Sequence, residues 1–270
     1  MSRTSLSTIL GVFTLMLIAC EQNVLFPENY YACNSFYGDT SSSHPNAAAF
    51  QEILDENRKL GIVGVTMMIE DKHGTWVGAS GKADIASSVD VLSCNTFLIA
   101  SISKVFTATV VFKLIDEGLL SLNDPVNKWI DNKITDRIEN ANESTVAHLL
   151  AHTSGIPDYY TLQFELDRIN KIDNDWKQED ILKYTYGKKA TNEVGETYYY
   201  SNSNFLLLGM IIESVTRGSL STAYQTRVFA PAGLESAYFS TEIPIPSGTV
   251  KGYVDIYGND QYVESQFLYK

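Results

Sequence analysis

Ser101-Ile102-Ser103-Lys104 places a serine and a lysine three residues apart, where the apolar run from Thr96 to Ala100 passes into a helical pattern. On a helix this spacing stacks the two side chains on one face. A serine hydroxyl is a weak nucleophile until a base takes its proton, and a partly buried lysine of lowered pKa can be that base. One helical turn would then hold nucleophile and base together. The plain alternative is a serine at a helix start followed by a solvated lysine. A cation in a first turn opposes the helix dipole, which argues mildly for chemistry.

Tyr200-Ser201-Asn202 offers two more polar groups immediately before a long apolar helical pattern. A helix start is where side chains can project into a cleft, but taken alone the motif reads better as Ser201 or Asn202 in a simple N-cap. The other Tyr-x-Asn, Tyr257/Asn259, reads as a hairpin turn around Gly258. His148 and His152 stand four apart, yet Leu149 follows where a zinc protease needs Glu, and no third ligand is near, so no metal is expected. Ser154 lacks the strand-turn-helix setting of a nucleophile elbow.

The elements that must position these groups follow from periodicity. A helix is predicted from near Asn46, with Phe50, Ile53, Leu54, Asn57 and Leu60 at helical spacing and Gly61 ending it. Residues 62–70 read as a strand, 71–74 as a turn and 75–80 as the returning strand. The segment from Ser101 to Glu117 reads as a helix capped by Gly118, with Val105, Thr109, Phe112 and Ile115 facing the core and Ala108 between them. Further helical stretches are predicted after Pro125 and over 144–151, 179–186 and 203–216. A strand is expected over 250–257 and a returning one over 261–268.

The chain has 270 residues and a formal net charge of −12, with no cluster of Lys or Arg. Phosphate binding needs a basic footprint, so nucleic acid is not an expected partner. Arg3 is the only charge ahead of an apolar stretch from Ile9 to Ala19, too short to span a bilayer and the length of a signal-peptide core. Leu17-Ile18-Ala19-Cys20 is similar to a bacterial lipobox. The expected organisation is a lipoprotein signal peptide at 1–19, a tether at 20–45 lipidated on Cys20, and one domain at 46–270. The membrane would be reached through acyl chains alone. Cys33 and Cys94 can pair in an oxidising compartment, although two cysteines far apart in sequence say little by themselves.

The stretch from Phe97 to Ala108 resembles the active-site segment of the serine β-lactamase-related hydrolases, which include class C β-lactamases, D-alanyl-D-alanine carboxypeptidases, D-aminopeptidases and esterases. Gly118-Leu119-Leu120-Ser121-Leu122-Asn123-Asp124-Pro125-Val126 resembles the family's next element. His148-Leu149-Leu150-Ala151-His152-Thr153-Ser154-Gly155-Ile156-Pro157-Asp158-Tyr159 resembles its helix-loop signature, and Tyr199-Tyr200-Ser201-Asn202-Ser203-Asn204 its second catalytic motif. Phe229-Ala230-Pro231-Ala232-Gly233-Leu234 follows in order, so the likeness runs from about Ala47 to Tyr257. The resemblance implies an α/β fold: an antiparallel sheet flanked by helices, with a helical lobe, the sheet incomplete in this chain. It implies Ser101 as the acylated nucleophile and Lys104 as a group that helps deprotonate it. Tyr200 would be the proton shuttle, and Asn202 would bind the substrate amide and orient Lys104. The backbone N–H of Ser101 would form half of an oxyanion hole. Which of lysine and tyrosine is the base stays open, because a coupled pair titrates as a unit. The histidines would be structural.

The family's third motif, of K-T-G or H-x-G type, is missing. Lys251-Gly252-Tyr253 lacks its form and Ser247-Gly248-Thr249 lies beside Pro246. The chain therefore reads as C-terminally incomplete. The expected function is a cofactor-free serine hydrolase, anchored in the bacterial cell envelope, that acts through an acyl-enzyme on a β-lactam, a D-alanyl peptide or a small ester. The alternative is a non-catalytic envelope lipoprotein that binds a peptide or partner without turnover.

Overall fold

The computed structural model describes residues 31–33, 39–171, 176–239, 246–255, 258–259 and 261–265. The expected signal peptide, the lipidation site Cys20 and Tyr257 lie outside the described residues.

Helix α1, Ala47–Lys59, packs on a hairpin of β1, Gly64–Asp71, and β2, Gly74–Asp84. The strands pair antiparallel, from Gly64 opposite Gly81 to Asp71 opposite Gly74. The tight turn requires glycine at 74. Its φ is +123°, and a Cβ there would sit 2.3 Å from Thr40 Oγ1. Trp76 is buried against Phe50 of α1, ring centroids 5.3 Å apart, and Ser80 donates to Asp55 at 2.6 Å. Strand β2 runs four residues further than periodicity indicates and adds a short third strand, β3, Val89–Asp90.

A 3-10 turn, Ala100–Ile102, leads into α2, Ser103–Asp116. The buried stripe of α2 is Thr107, Val110, Val111 and Leu114; of the predicted Val105, Thr109, Phe112 and Ile115, the half-buried Ile115 packs on the core beside it. Val105 and Phe112 are 63% and 50% exposed, whereas Val110, Val111 and Leu114 are fully buried. The helix is apolar on more than one face, so hydrophobic period alone cannot say which face meets the core. Packing against a later helix decides it.

The middle of the chain is helical: α3, Asn132–Thr135; α4, Val146–Leu150; α5, Leu162–Asn170; and α6, Gln178–Leu182. The predicted stretch after Pro125 is a 3-10 turn followed by α3, and α5 was not foreseen. Helix α7, Asn202–Thr216, is the hub. It packs on α2, α4 and the next helix, α8, Leu220–Tyr224, and buries Leu207, Leu208, Ile211 and Ile212 completely. It stops at Arg217, whose left-handed φ of +52° precedes Gly218.

At the C-terminal side, among the described residues, two-residue strands β4, Tyr253–Val254, and β5, Val263–Glu264, pair antiparallel within the predicted segments. Thr96 bridges Thr249 in parallel. Cys33 and Cys94 form a disulfide with Cα atoms 5.9 Å apart. Within the segment read as a tether, Tyr31 and His44 are buried in the domain, and Asp39 bridges Thr75. The observed fold is α/β, a small antiparallel sheet flanked by helices and not closed into a barrel.

Candidate active site

Ser101 lies in the 3-10 turn and Lys104 in the first turn of α2, so the tighter winding brings them to one side. Lys104 Nζ donates to Ser101 Oγ at 3.1 Å. Ala100, just before the serine, holds a left-handed φ of +44°, a strained conformation for a residue with a Cβ. The Ser103 hydroxyl donates back to the Ala100 carbonyl at 2.6 Å and closes the turn.

Tyr200 and Asn202 reach the same point from the start of α7. Tyr200 OH donates to Ser101 Oγ at 2.9 Å, and Lys104 Nζ donates to Asn202 Oδ1 at 2.8 Å. All four residues singled out for chemistry therefore meet. The N-cap alternative explains only part of this: Ser201 occupies the N-cap position of α7 but its side chain makes no capping hydrogen bond.

Burial pushes the Tyr200 phenol up, but its hydrogen bonds with Lys104 and Ser101 and the charge of Lys104 outweigh this and hold it below the ordinary phenol value. Neighbouring Tyr159 goes the other way, pushed up to about 12 by burial and then by the charge of Asp158. Two donors point at Ser101 Oγ in this arrangement. Loss of a proton from either one turns it into an acceptor for the serine proton.

Two supporting residues were not foreseen. His152, expected to be structural, stacks its ring on Tyr200 with centroids 4.6 Å apart, and Ser201 N–H donates to its Nδ1 at 3.2 Å. Burial and the Lys104 charge lower its pKa against the pull of Asp158. Asp158 accepts from both Asn202 N, at 3.1 Å, and Asn202 Nδ2, at 2.9 Å. Both residues sit within a stretch already matched in sequence, but nothing in their spacing shows what they touch. His148 instead closes a capping box with Thr145. No cluster that can hold a metal ion occurs among the described residues. A separate concavity of about 650 Å³, lined by Arg58, Ser80, Lys82, Asp90 and Tyr262 among others, includes no residue of this cluster.

A serine held between a lysine and a tyrosine at the start of a helix, in an α/β fold with a small antiparallel sheet, is the arrangement of the serine hydrolases of the β-lactamase and penicillin-binding-protein class. The sequence model described as Beta-lactamase matches residues 47–263, and the chain belongs to that family. Protein flp of Staphylococcus aureus (strain N315) is 35% identical over 183 residues, which cover 67% of this chain and 36% of that protein. Penicillin-binding protein 4* of Bacillus subtilis (strain 168) is 32% identical over 154 residues, 57% of this chain and 33% of that one. Among solved structures, the D-amino acid amidase of Ochrobactrum anthropi SV3 complexed with L-phenylalanine amide superposes with a TM-score of 0.70 at 27% identity. The match covers 82% of this chain and 62% of that one. A penicillin-binding protein from Bacillus halodurans gives 0.64 at 26% identity, covering 80% of this chain and 65% of that one. The chain spans about a third of the length of the two relatives matched by sequence.

Proposed function

We propose that this protein is a serine hydrolase that works through an acyl-enzyme on amide or ester substrates. Ser101 Oγ is the nucleophile, Lys104 and Tyr200 the proton-handling pair, and Asn202 the group that binds the substrate amide and orients Lys104. The observation that carries the reading is the convergence on Ser101 Oγ of Lys104 Nζ at 3.1 Å and Tyr200 OH at 2.9 Å, from segments 99 residues apart. A solvated lysine and a helix cap have no reason to meet.

In the proposed reaction, Ser101 Oγ attacks the substrate carbonyl carbon while its proton passes to the Lys104–Tyr200 pair. The pair returns a proton to the leaving amine or alcohol, which leaves an ester on Ser101. Water then attacks that ester and gives its proton to the same pair, the acyl carbon–Oγ bond breaks, the carboxylic acid leaves, and the pair returns the proton to Ser101 Oγ. The expected substrates are a β-lactam, a D-alanyl peptide or a small ester. Amides are supported by the likeness to a D-amino acid amidase and to a D-stereospecific amidohydrolase from Streptomyces sp..

The proposed setting is the bacterial cell envelope, with residues 1–19 a cleaved signal, Cys20 lipidated and residues 46–270 forming the hydrolase domain. Among the described residues no helix is long and apolar enough to cross a membrane.

The test is intact mass spectrometry of the purified chain after exposure to a fluorophosphonate probe, beside Ser101→Ala. A single adduct on the parent and none on the variant is expected. A parent that melts cooperatively and takes no adduct overturns catalysis and leaves the non-catalytic binding reading.

A further inference from the structure

We propose that Asp158 is a positioning residue for Lys104 and acts through Asn202, a role that rests on the hydrolase reading above. The link is the orientation of one amide. Asn202 Oδ1 accepts from Lys104 at 2.8 Å while Asn202 Nδ2 donates to Asp158 Oδ2 at 2.9 Å. An asparagine amide has two ends of nearly equal size, and rotation about its last bond exchanges acceptor for donor. Turned the wrong way, Asn202 would set an NH₂ group against the lysine amine. An ionised carboxylate accepts only, so Asp158 opposite Nδ2 allows one orientation.

Asp158 is itself held by a loop tied to the start of α7. Its Oδ1 accepts from Asn202 N at 3.1 Å and from Tyr160 N at 3.0 Å. On either side of it, the Ser203 hydroxyl donates to the Pro157 carbonyl at 2.7 Å and accepts from Tyr159 N at 3.0 Å. The carboxylate, the amide and the amine therefore form one ordered row that ends at Ser101 Oγ. Asp158 has no direct hydrogen bond to Ser101 or Lys104 among those observed, so its positioning of Lys104 passes through Asn202, apart from its charge, which raises the Tyr200 phenol.

The experiment measures saturable labelling by a fluorophosphonate in the parent, Asp158→Asn, Asn202→Ala and the double variant. Asp158→Asn presents an NH₂ group where the carboxylate stood. It is expected to lower the limiting labelling rate about 10- to 100-fold, the scale of loss from a misplaced reacting group, with little change in the concentration that half-saturates it. In the Asn202→Ala background the same substitution is expected to change the rate by less than about twofold, because the path is already cut. Losses that multiply, or an unchanged rate in Asp158→Asn, overturn the proposal.

Nitrogen-15 spectra of the same proteins give a readout that needs no activity. The Asn202 side-chain amide is identified by its loss in Asn202→Ala and is expected to shift in Asp158→Asn. An unmoved resonance overturns the positioning role. A parent that melts cooperatively but takes no probe overturns the hydrolase reading alone. Asp158→Ala serves the same comparison should Asp158→Asn fail to melt cooperatively.

Discussion

Tyr200 is the residue whose chemistry depends most on its neighbours. Its phenol lies below the ordinary value because hydrogen bonds with Lys104 and Ser101, together with the lysine charge, outweigh burial. The deprotonated form is therefore populated at a lower pH than a free phenol, whose pKa is about 10. If the phenolate accepts the serine proton, probe labelling at Ser101 rises with pH and reaches half its plateau below 10. In Tyr200→Phe this rise is lost and the rate falls by about 10²–10⁴-fold, the usual contribution of a positioned acid or base. A rate profile of both proteins from pH 6 to 11 checks it. An identical profile in the variant would show that Tyr200 is not the titrating group. Of the residues at the site, Ser101 and Lys104 were legible from type and spacing, and Tyr200 and Asn202 only through the resemblance of their stretch to the family's second motif. Asp158 and His152 were not, because their roles consist of contacts made across 44 and 48 residues of chain, to Asn202 and Tyr200.

At the scale of elements, α2 and α7 carry the site and the core together. Ser101 and Lys104 precede a stripe of Thr107, Val110, Val111 and Leu114 on the helix that packs on α7, while Tyr200 and Asn202 stand at the α7 start. Seating these two helices on each other is what closes the gap between nucleophile and tyrosine. Leu114 is fully buried, so Leu114→Ala is expected to cost about 2–5 kcal/mol, the transfer of the lost methyl groups plus the cavity left behind. Val105→Ala, at a side chain 63% exposed, is expected to stay within about 0.5 kcal/mol. Chemical denaturation of both variants decides between the observed stripe and the one that periodicity suggested, since the latter predicts the opposite order. The helical period identified α2 as a helix but not its buried side, because apolar residues stand on both.

For the whole molecule, distant segments are tied at one place. Asp84, buried at the end of β2, accepts from Tyr31 at 3.3 Å and pairs with Lys251 at 3.2 Å, and Lys251 pairs with Glu264 at 3.0 Å. The Cys33–Cys94 disulfide joins the same region across 61 residues and enters the chain seven residues before Ser101. A cross-link of that length restricts the unfolded chain, and its loss is expected to cost about 2–4 kcal/mol. Thermal melting of the oxidised protein beside Cys33→Ser/Cys94→Ser measures this. Equal midpoints would show that the loop contributes nothing to the folded balance.

The amino-acid sequence by itself determined the local grammar: the hairpin around Gly74, the helices that begin near Ser101 and Asn202, and the ordered motifs that mark the family. These rest on interactions between residues close in the chain, where hydrophobic period and turn chemistry act directly. Only the tertiary structure decided which face of α2 is buried, that Cys33 and Cys94 are joined, and that Lys104 and Tyr200 share one serine. Each of these depends on contacts between segments roughly 60 to 100 residues apart, and spacing along the chain carries no record of distance across the fold.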